Sequence, residues 1–415
     1  MGHRERGIMS DENMMRVSAE ELEEDRFSRF RLIQWWDQAK ISQTKVLVVG
    51  AGALGNEIIK NLALLGFSRV LIVDMDRIEH PNLSRSVLYR GKDVGQYKAD
   101  VAARVAKEIY PELVAWPLNA NILYGVGLGV FAWADVILGG LDNREARLWI
   151  NRCAWKVNRP WIDGAIEGIN GVARVFLPGK PPCYECTLGE VDWSILEKRM
   201  SCNLLTREEM LSGKTATTPT TASVIAGMQV QELLKLVHGL PTLNGEGFVF
   251  EGLNHSSYKV QYTENEDCLS HETFQRVVAL PGTSAELTLE QLHQRAQSDL
   301  GSPEVCVEFS RDIIHKLVCR ECGSEEEVFA PVGTIPYARG RCSRDGKIRE
   351  VVALHTYRGV EAFGARPLEQ VGLPAFDIFS ARSKNDEVHY LIAGDAGAVL
   401  GPLTGSVAQG AGNLG

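Results

Sequence analysis

Residues 45–55 read KVLVVGAGALG, and this stretch decides the fold of the first part of the chain. The apolar run Lys45–Val49 predicts a buried strand, and the glycines after it predict a tight turn into a helix. Glycines let the backbone approach a phosphate or a ribose closely, and a helix N-terminus favours negative charge. Asp74 ends the next apolar run, where a carboxylate can bind ribose hydroxyls. The stretch therefore predicts a nucleotide-binding α/β fold.

Strands and helices alternate after this turn. The spacing predicts helices over 56–65, 98–110 and 143–157, with strands over 69–74 and 136–141. Such alternation indicates a parallel sheet that is covered by helices on both faces.

Two domains and two terminal segments follow from this pattern. We expect a disordered N-terminus over 1–17 and a Rossmann-like parallel-sheet domain over 18–280. Within it, residues 178–221 are rich in Cys, Thr and Pro and predict a long loop with one short helix, which is typical of functional segments. Residues 281–392 predict a small α+β domain, and the Gly- and Ala-rich residues 393–415 predict a flexible tail.

Composition narrows the function classes. The net charge of −9 argues against nucleic-acid or anionic-membrane binding, since both need a basic surface. No run approaches the roughly 20 apolar residues that span a bilayer, and the first residues lack the apolar core of a secretory signal. Nine cysteines, four of them in Cys-x-x-Cys pairs, favour metal sites or reactive thiols in a reducing cytoplasm.

Charged and polar side chains follow the predicted ribose carboxylate. Asn82, Arg85 and Lys98 supply an amide and two cations, which suit a triphosphate better than a hydride-transfer site. Asp142 follows the strand over 136–141, where a carboxylate can hold magnesium. Two alternatives remain open. The two cations can be solvated surface charges, and the glycine turn alone also fits a nicotinamide-dependent dehydrogenase.

These residues resemble a known family. Asn82-Leu83-Ser84-Arg85 and the later Leu141-Asp142-Asn143 resemble the adenylation domain of the ubiquitin-activating superfamily, which includes the ThiF and MoeB proteins. The resemblance covers about residues 20–275, and the chain is identified as a prokaryotic-looking member, similar to the catalytic subunits of eukaryotic ubiquitin-like activating enzymes. Ser86 departs from the family's usual glutamine. The resemblance implies that ATP and magnesium bind at Gly50, Ala51, Gly52, Ala53, Leu54, Gly55, Asp74, Asp76, Asn82, Arg85, Lys98, Asn121, Ile122, Leu141, Asp142, Asn143 and Arg144.

The same resemblance implies an activity. A ubiquitin-like protein with a C-terminal glycine would be adenylated, captured as a thioester on Cys202, and passed to a conjugating enzyme. Cys202 lies in the long loop, and Arg199 nearby favours its thiolate. Two alternatives stay open: Cys202 can be an incidental thiol, and sulfur-carrier adenylyltransferases share the first step without that transfer.

Arg29 lies in Arg26-Phe27-Ser28-Arg29, which is similar to an N-terminal segment of the family. In relatives its last arginine reaches the ATP phosphates of a second subunit. The resemblance therefore implies a symmetric homodimer in which Arg29 acts in trans, together with Arg85 and Lys98. The alternative is an arginine on a helix surface.

Two cysteine clusters point to zinc. Cys183 and Cys186 form a pair that needs two more ligands to complete a tetrahedron, and Cys268 and His271 supply them. The family joins these two places through a structural zinc. A redox Cys-x-x-Cys is the rival interpretation.

A second candidate zinc site lies in the C-terminal domain. Cys319, Cys322 and Cys342 resemble a zinc ribbon whose last ligand has become Asp345, and a metal-free ribbon is the alternative. Eukaryotic relatives place a ubiquitin-fold domain at this position, so the resemblance implies a role in recruiting the conjugating enzyme.

Overall fold

The computed structural model describes residues 24–201 and 216–409, and its first domain is built on one large sheet. The strands are β1 (Lys45–Val49), β2 (Arg69–Val73), β3 (Val114–Leu118), β4 (Val136–Gly139), β5 (Trp161–Glu167), β6 (Asn170–Phe176), β7 (Glu246–Glu251) and β8 (Ser256–Gln261). Their order is β3-β2-β1-β4-β5-β6-β7-β8. Strands β1 to β5 are parallel, and β6 to β8 continue antiparallel.

The described part of the first domain also contains α-helices between and beside these strands. They are α1 (Gln38–Gln43), α2 (Ala53–Leu65), α3 (Lys98–Ile109), α4 (Leu128–Trp133), α5 (Arg144–Lys156), α6 (Glu190–Ser201) and α7 (Pro219–Val237). Alternate residues of β1 face two different cores, with Val46 and Val48 in one and Leu47 and Val49 in the other. The sheet is therefore covered on both faces, which confirms the predicted fold class.

The strand order places the site. Strand β1 lies between β2 and β4, so the chain leaves β1 towards one side and later returns to the other. In open parallel sheets, ligands bind in the crevice at the carboxyl ends of the strands where this reversal occurs. The turn between β1 and α2 lies at that crevice.

The second domain is a smaller mixed sheet. Its strands are β9 (Val277–Leu280), β10 (Cys306–Val318), β11 (Glu325–Pro331), β12 (Glu350–Tyr357), β13 (Ile378–Arg382) and β14 (Glu387–Ile392). The order is β11-β10-β13-β14-β9, and β12 pairs with β10. Its helices are α8 (Leu289–Leu300), α9 (Tyr337–Gly340) and α10 (Ala396–Leu400). Since β9 already belongs to this sheet, the second domain begins before the predicted boundary at 281.

The end of the chain corrects another prediction. Composition predicts a flexible tail from residue 393 onwards, but Ala396–Leu400 is helical and a 3-10 helix follows over Gly401–Gln409. Leu400 and Leu403 are buried in the core on one face of the first sheet. The indole nitrogen of Trp116 donates to the Val399 carbonyl at 3.1 Å. Small residues fit here because the backbone runs directly against Trp116.

In the described residues, no helix is both long and apolar enough to cross a membrane.

Candidate functional site

The glycine turn forms the floor of a crevice. Gly50 has φ +95°, and a Cβ there would lie 2.6 Å from the Gly140 carbonyl oxygen. A Cβ on Gly55 would lie 1.9 Å from the carbonyl oxygen of Gly50. The first glycine thus permits the turn and the third permits close contact between turn and helix. Gly52 caps the N-terminus of α2 without a side-chain hydrogen bond, so backbone N–H groups there remain available to an anion.

Asp74 is anchored beside this turn. One carboxylate oxygen accepts from the Ala51 N–H at 2.7 Å, and the other accepts from the Asp76 N–H at 2.8 Å. Burial raises the pKa of Asp74, while the Lys98 ammonium opposes that rise. Lys98 Nζ lies 2.7 Å from a carboxylate oxygen of Asp76. The Asp74 carboxylate is therefore fixed in position and keeps lone pairs for hydroxyl donors.

A cavity of about 730 Å³ opens above the turn. It gathers 15 of the 17 residues for which nucleotide contact was predicted, while Ala51 and Gly55 shape the turn beneath it. The lining residues among them are Gly50, Gly52, Ala53, Leu54, Asp74, Asp76, Asn82, Arg85, Lys98, Asn121, Ile122, Leu141, Asp142, Asn143 and Arg144. The structure thus brings these side chains to one space, and their role in binding stays a prediction.

Arg85 and Asn82, which are predicted to contact the triphosphate, are positioned by different hydrogen bonds. Arg85 donates through Nη1 to the Pro81 carbonyl at 2.9 Å. Asn82 accepts from the Glu79 N–H at 2.8 Å, which caps the start of the short 3-10 helix His80–Ser84, and Arg85 directly follows this helix. The guanidinium of Arg85 retains further N–H donors for a phosphate.

The position of the Asp142 carboxylate suits a magnesium ligand. It is exposed on the cavity wall at the carboxyl end of β4, and one of its oxygens lies 3.5 Å from the Asn143 amide nitrogen. Asn143 itself caps α5 by accepting from the Ala146 N–H at 2.8 Å. Magnesium takes one or two protein carboxylates and fills its remaining positions with phosphate oxygens and water, so a single carboxylate facing a wide cavity suits it.

Sequence reasoning missed a buried charged network behind the cavity. Asp163, on β5, has no exposed surface and accepts from Arg147 Nε at 3.0 Å and from Arg174 at 2.5 Å. Both arginines line the cavity, and Arg147 also donates to the Leu141 carbonyl at 2.6 Å. The sequence signal for this network was Asp163 itself, an acidic residue within an apolar strand, because a buried acid needs a cationic partner.

The first cysteine cluster forms as predicted. The Sγ atom of Cys183 lies 3.7 Å from that of Cys186 and 3.6 Å from that of Cys268, and Cys186 Sγ lies 3.4 Å from His271 Nε2. Two sulfurs bound to one tetrahedral zinc are about 3.8 Å apart, so the four residues fit zinc. The ring of Trp155 stacks on His271 with centroids 4.5 Å apart.

Zinc binding at this cluster has to displace protons from buried thiols. Burial raises the pKa of the Cys183 and Cys268 thiols. Deprotonating them requires a nearby cation, which zinc supplies. A redox pair of Cys183 and Cys186 alone is the weaker interpretation, because two more ligands converge on them.

Of two further predicted catalytic residues, the structure describes only Arg29. Arg29 is exposed before a 3-10 helix over Phe30–Leu32 and does not belong to the described cavity wall. Cys202 lies outside the described residues. Helix α6 ends at Ser201, and its start is attached to the cavity by the ion pair between Arg144 and Asp192 at 2.7 Å.

Known proteins share this fold and parts of this sequence. Residues 25–270 match the ThiF family. The SUMO-activating enzyme subunit uba-2 of Caenorhabditis elegans is 39% identical over 148 residues, which cover 35% of this chain and 25% of that protein. The NEDD8-activating enzyme E1 catalytic subunit of Arabidopsis thaliana is 40% identical over 157 residues, covering 35% of this chain and 34% of that protein. The chain thus matches only a quarter to about a third of their lengths.

A solved structure agrees at the level of the fold. The crystal structure of E. coli MccB with ATP has a TM-score of 0.50 and 23% sequence identity, and the match covers 60% of this chain and 75% of that one. This match shows the fold alone, a Rossmann-like α/β domain with a crevice at the carboxyl ends of its parallel strands. Because the family match covers more than half of its residues, the chain belongs to the ThiF family.

Proposed function

We propose that this protein uses ATP to adenylate the C-terminal glycine of a small ubiquitin-like protein. One observation carries the proposal: a single cavity joins a helix N-terminus, the anchored carboxylate of Asp74, the cations Arg85 and Lys98, and the Asp142 carboxylate. Helix N-terminus and cations suit phosphates, and Asp74 suits a ribose. The activating enzymes among its relatives support this choice over a dehydrogenase.

The first step transfers the adenylyl group of ATP to a carboxylate. The terminal carboxylate of the partner attacks the α-phosphorus of ATP, the bond to the β-phosphate oxygen breaks, and pyrophosphate leaves. Arg85 and Lys98 offset the charge that develops on the phosphates, and Asp142 would hold a magnesium ion, which would supply further positive charge. Lys98 starts in an ion pair with Asp76, so it exchanges this partner for a phosphate oxygen.

The second step uses Cys202. Its thiolate attacks the acyl carbon, AMP leaves, and a thioester forms, which a conjugating enzyme then accepts on its own cysteine. The ion pair between Arg144 and Asp192 supports this step, because it fixes the start of the helix that leads to Cys202 beside the cavity. A sulfur-carrier adenylyltransferase would share the first step only.

Pyrophosphate exchange tests the first step. Asp142→Ala should lower the exchange rate by about 10²–10³, the usual cost of losing one charge-stabilising group. Glu369→Ala is the matched control, because it removes an exposed carboxylate in the second domain. Normal exchange in a folded Asp142→Ala protein contradicts the proposal.

Gel analysis of the adduct tests the second step. Wild type incubated with ATP and the partner should form an adduct that a thiol reductant removes, and Cys202→Ala should form none while exchanging pyrophosphate normally. Cys306→Ala should behave as wild type. Efficient adenylation without any adduct in wild type favours the sulfur-carrier alternative.

We further propose a homodimer in which Arg29 of one chain completes the cavity of the other. Arg29 is exposed and can reach outwards, which supports the proposal. Mixing Arg29→Ala with Asp142→Ala protein should restore part of the exchange activity, because one hybrid site then carries both residues. No recovery under demonstrated subunit exchange rejects the arrangement.

A further inference from the structure

A tight turn with a glycine joins β10 to β11 in the second domain. The Cys319 N–H donates to the Ser324 carbonyl, and the Gly323 N–H donates to the Cys319 carbonyl, both at 2.9 Å. Gly323 has φ +68°, which favours glycine. Cys322 is the fourth residue of the turn. Residues 319–324 are called the first knuckle below.

A second turn repeats this geometry between α9 and β12. The Cys342 N–H donates to the Lys347 carbonyl at 2.7 Å, and the Gly346 N–H donates to the Cys342 carbonyl at 2.9 Å. Gly346 has φ +70°. Residues 342–347 are called the second knuckle below. They form the same two backbone hydrogen bonds as the first knuckle. Asp345 occupies the position that Cys322 has in the first.

The two knuckles face each other through their side chains. The Sγ atoms of Cys322 and Cys342 lie 3.6 Å apart, and Cys319 Sγ lies 3.2 Å from Asp345 Oδ2. The four ligand atoms all lie within 4.8 Å of one another. Sulfurs around a tetrahedral zinc are about 3.8 Å apart, and a sulfur–oxygen pair is slightly closer, because zinc binds oxygen at about 2.0–2.2 Å and sulfur at about 2.3 Å.

The carboxylate of Asp345 is oriented as a ligand. Its Oδ1 accepts from the Lys347 N–H at 2.9 Å, which leaves Oδ2 directed at the sulfurs. Asp345 thus presents one carboxylate oxygen to the cluster although the residue itself is exposed. The Cys342 sulfur also accepts from the Arg344 N–H at 3.4 Å, a contact that favours a thiolate.

We infer that the second domain holds a structural zinc ion through Cys319, Cys322, Cys342 and Asp345. The ion joins the first knuckle, at the end of β10, to the second knuckle, which precedes β12. Arg320 and Glu350 form an ion pair at 2.6 Å on the outside of these turns. Zinc suits this set because it accepts mixed sulfur and oxygen ligands in a tetrahedron. The inference is independent of the adenylation chemistry proposed above.

Metal content of the full chain tests the site. Protein purified under reducing conditions and analysed by mass spectrometry for metals should carry one zinc more in wild type than in Cys342→Ser. Asp345→Cys should retain this zinc and release it to a chelator more slowly than wild type, because thiolates bind zinc more tightly than a carboxylate does. Cys306→Ser, which changes a cysteine outside both clusters, should keep the full content.

A measurement on wild type guards against variants that fail to fold. Graded chelation should remove hydrogen-exchange protection near Val318 and Glu350, the paired strand ends beside the knuckles, before it affects β1. Equal zinc content in wild type and folded Cys342→Ser protein would overturn the inference. A disulfide between Cys322 and Cys342 in protein kept under reducing conditions would overturn it too.

Discussion

Arg311 of the second domain holds one wall of the nucleotide cavity. Its guanidinium donates to the carbonyls of Leu123 at 3.1 Å and Val126 at 2.9 Å. It lies 5.1 Å from the ring centroid of Trp149 and 3.8 Å from Asp377, which has no exposed surface. Leu123 lines the cavity together with the two residues before it. The proposed adenylation site is thus supported by a side chain from outside the parallel sheet.

The informative perturbation is Arg311→Met, which keeps an unbranched side chain of about the length of the arginine's aliphatic stem and removes the charged guanidinium. The buried carboxylate of Asp377 then retains hydrogen bonds from the Leu128 N–H at 2.7 Å and from the Ser310 hydroxyl, but no cation. Breaking a buried ion pair from one side costs about 3–5 kcal/mol. We expect urea denaturation to show a loss of that order, and pyrophosphate exchange to show a raised KM for ATP.

The double variant Arg311→Met/Asp377→Asn separates the two effects. The neutral amide that replaces the Asp377 carboxylate should restore part of the stability, because no unpaired charge remains buried. It should not restore the KM for ATP, since the carbonyls of Leu123 and Val126 still lack their donor. Arg295→Met, which removes the exposed cation of the pair with the half-buried Asp299, is the control and should cost less than about 1 kcal/mol. A stable Arg311→Met protein with an unchanged KM would refute the reasoning.

Two further predictions follow from the core and the turn. Gly55→Ala should lower both ATP affinity, measured by calorimetry, and thermal stability, because its Cβ would lie 1.9 Å from the Gly50 carbonyl oxygen; unchanged binding would show that the turn yields easily. Burial lowers the pKa of His389 to about 4 from its usual 6.5, so the unfolded chain binds more protons between these values and stability should fall as pH drops through that window. His389→Gln should flatten this part of the profile in urea titrations at pH 5 and 7, and an identical slope in both proteins would assign it to other groups.

Local patterns predicted the first sheet well. The apolar run of β1 and the glycines after it are contiguous in sequence, so their structure could be predicted without tertiary information. Helix α2 begins at Ala53, three residues before the predicted start, because Gly52 serves as its cap. The Cys-x-x-Cys spacing likewise predicted one pair in each cluster, and the family resemblance predicted that Cys268 and His271 complete the first.

The errors arose where distant segments meet. A Cβ on Gly401 would lie 2.5 Å from the ring of Trp116. Gly401 belongs to the segment that composition predicts to be a flexible tail, yet it permits close contact with this distant residue. Asp163 and Arg174 are register partners on β5 and β6. Only the strand pairing reveals that the acid inside one strand has its cation on the next.

The charges of the cavity determine what it needs in order to bind a triphosphate. Among the described residues, five cations line it: Arg85, Lys98, Arg144, Arg147 and Arg174. Five carboxylates do so too: Asp74, Asp76, Asp142, Glu167 and Asp192. Asp163 behind the wall engages two of the cations, and ion pairs engage Lys98 and Arg144. The cations and carboxylates of the described cavity wall thus balance in number, so this wall is not strongly basic. We therefore expect a divalent cation that arrives with the phosphates to strengthen ATP binding, because it offsets the Asp142 carboxylate. Under the proposed function, this balance makes nucleotide affinity itself, and not only catalysis, depend on magnesium.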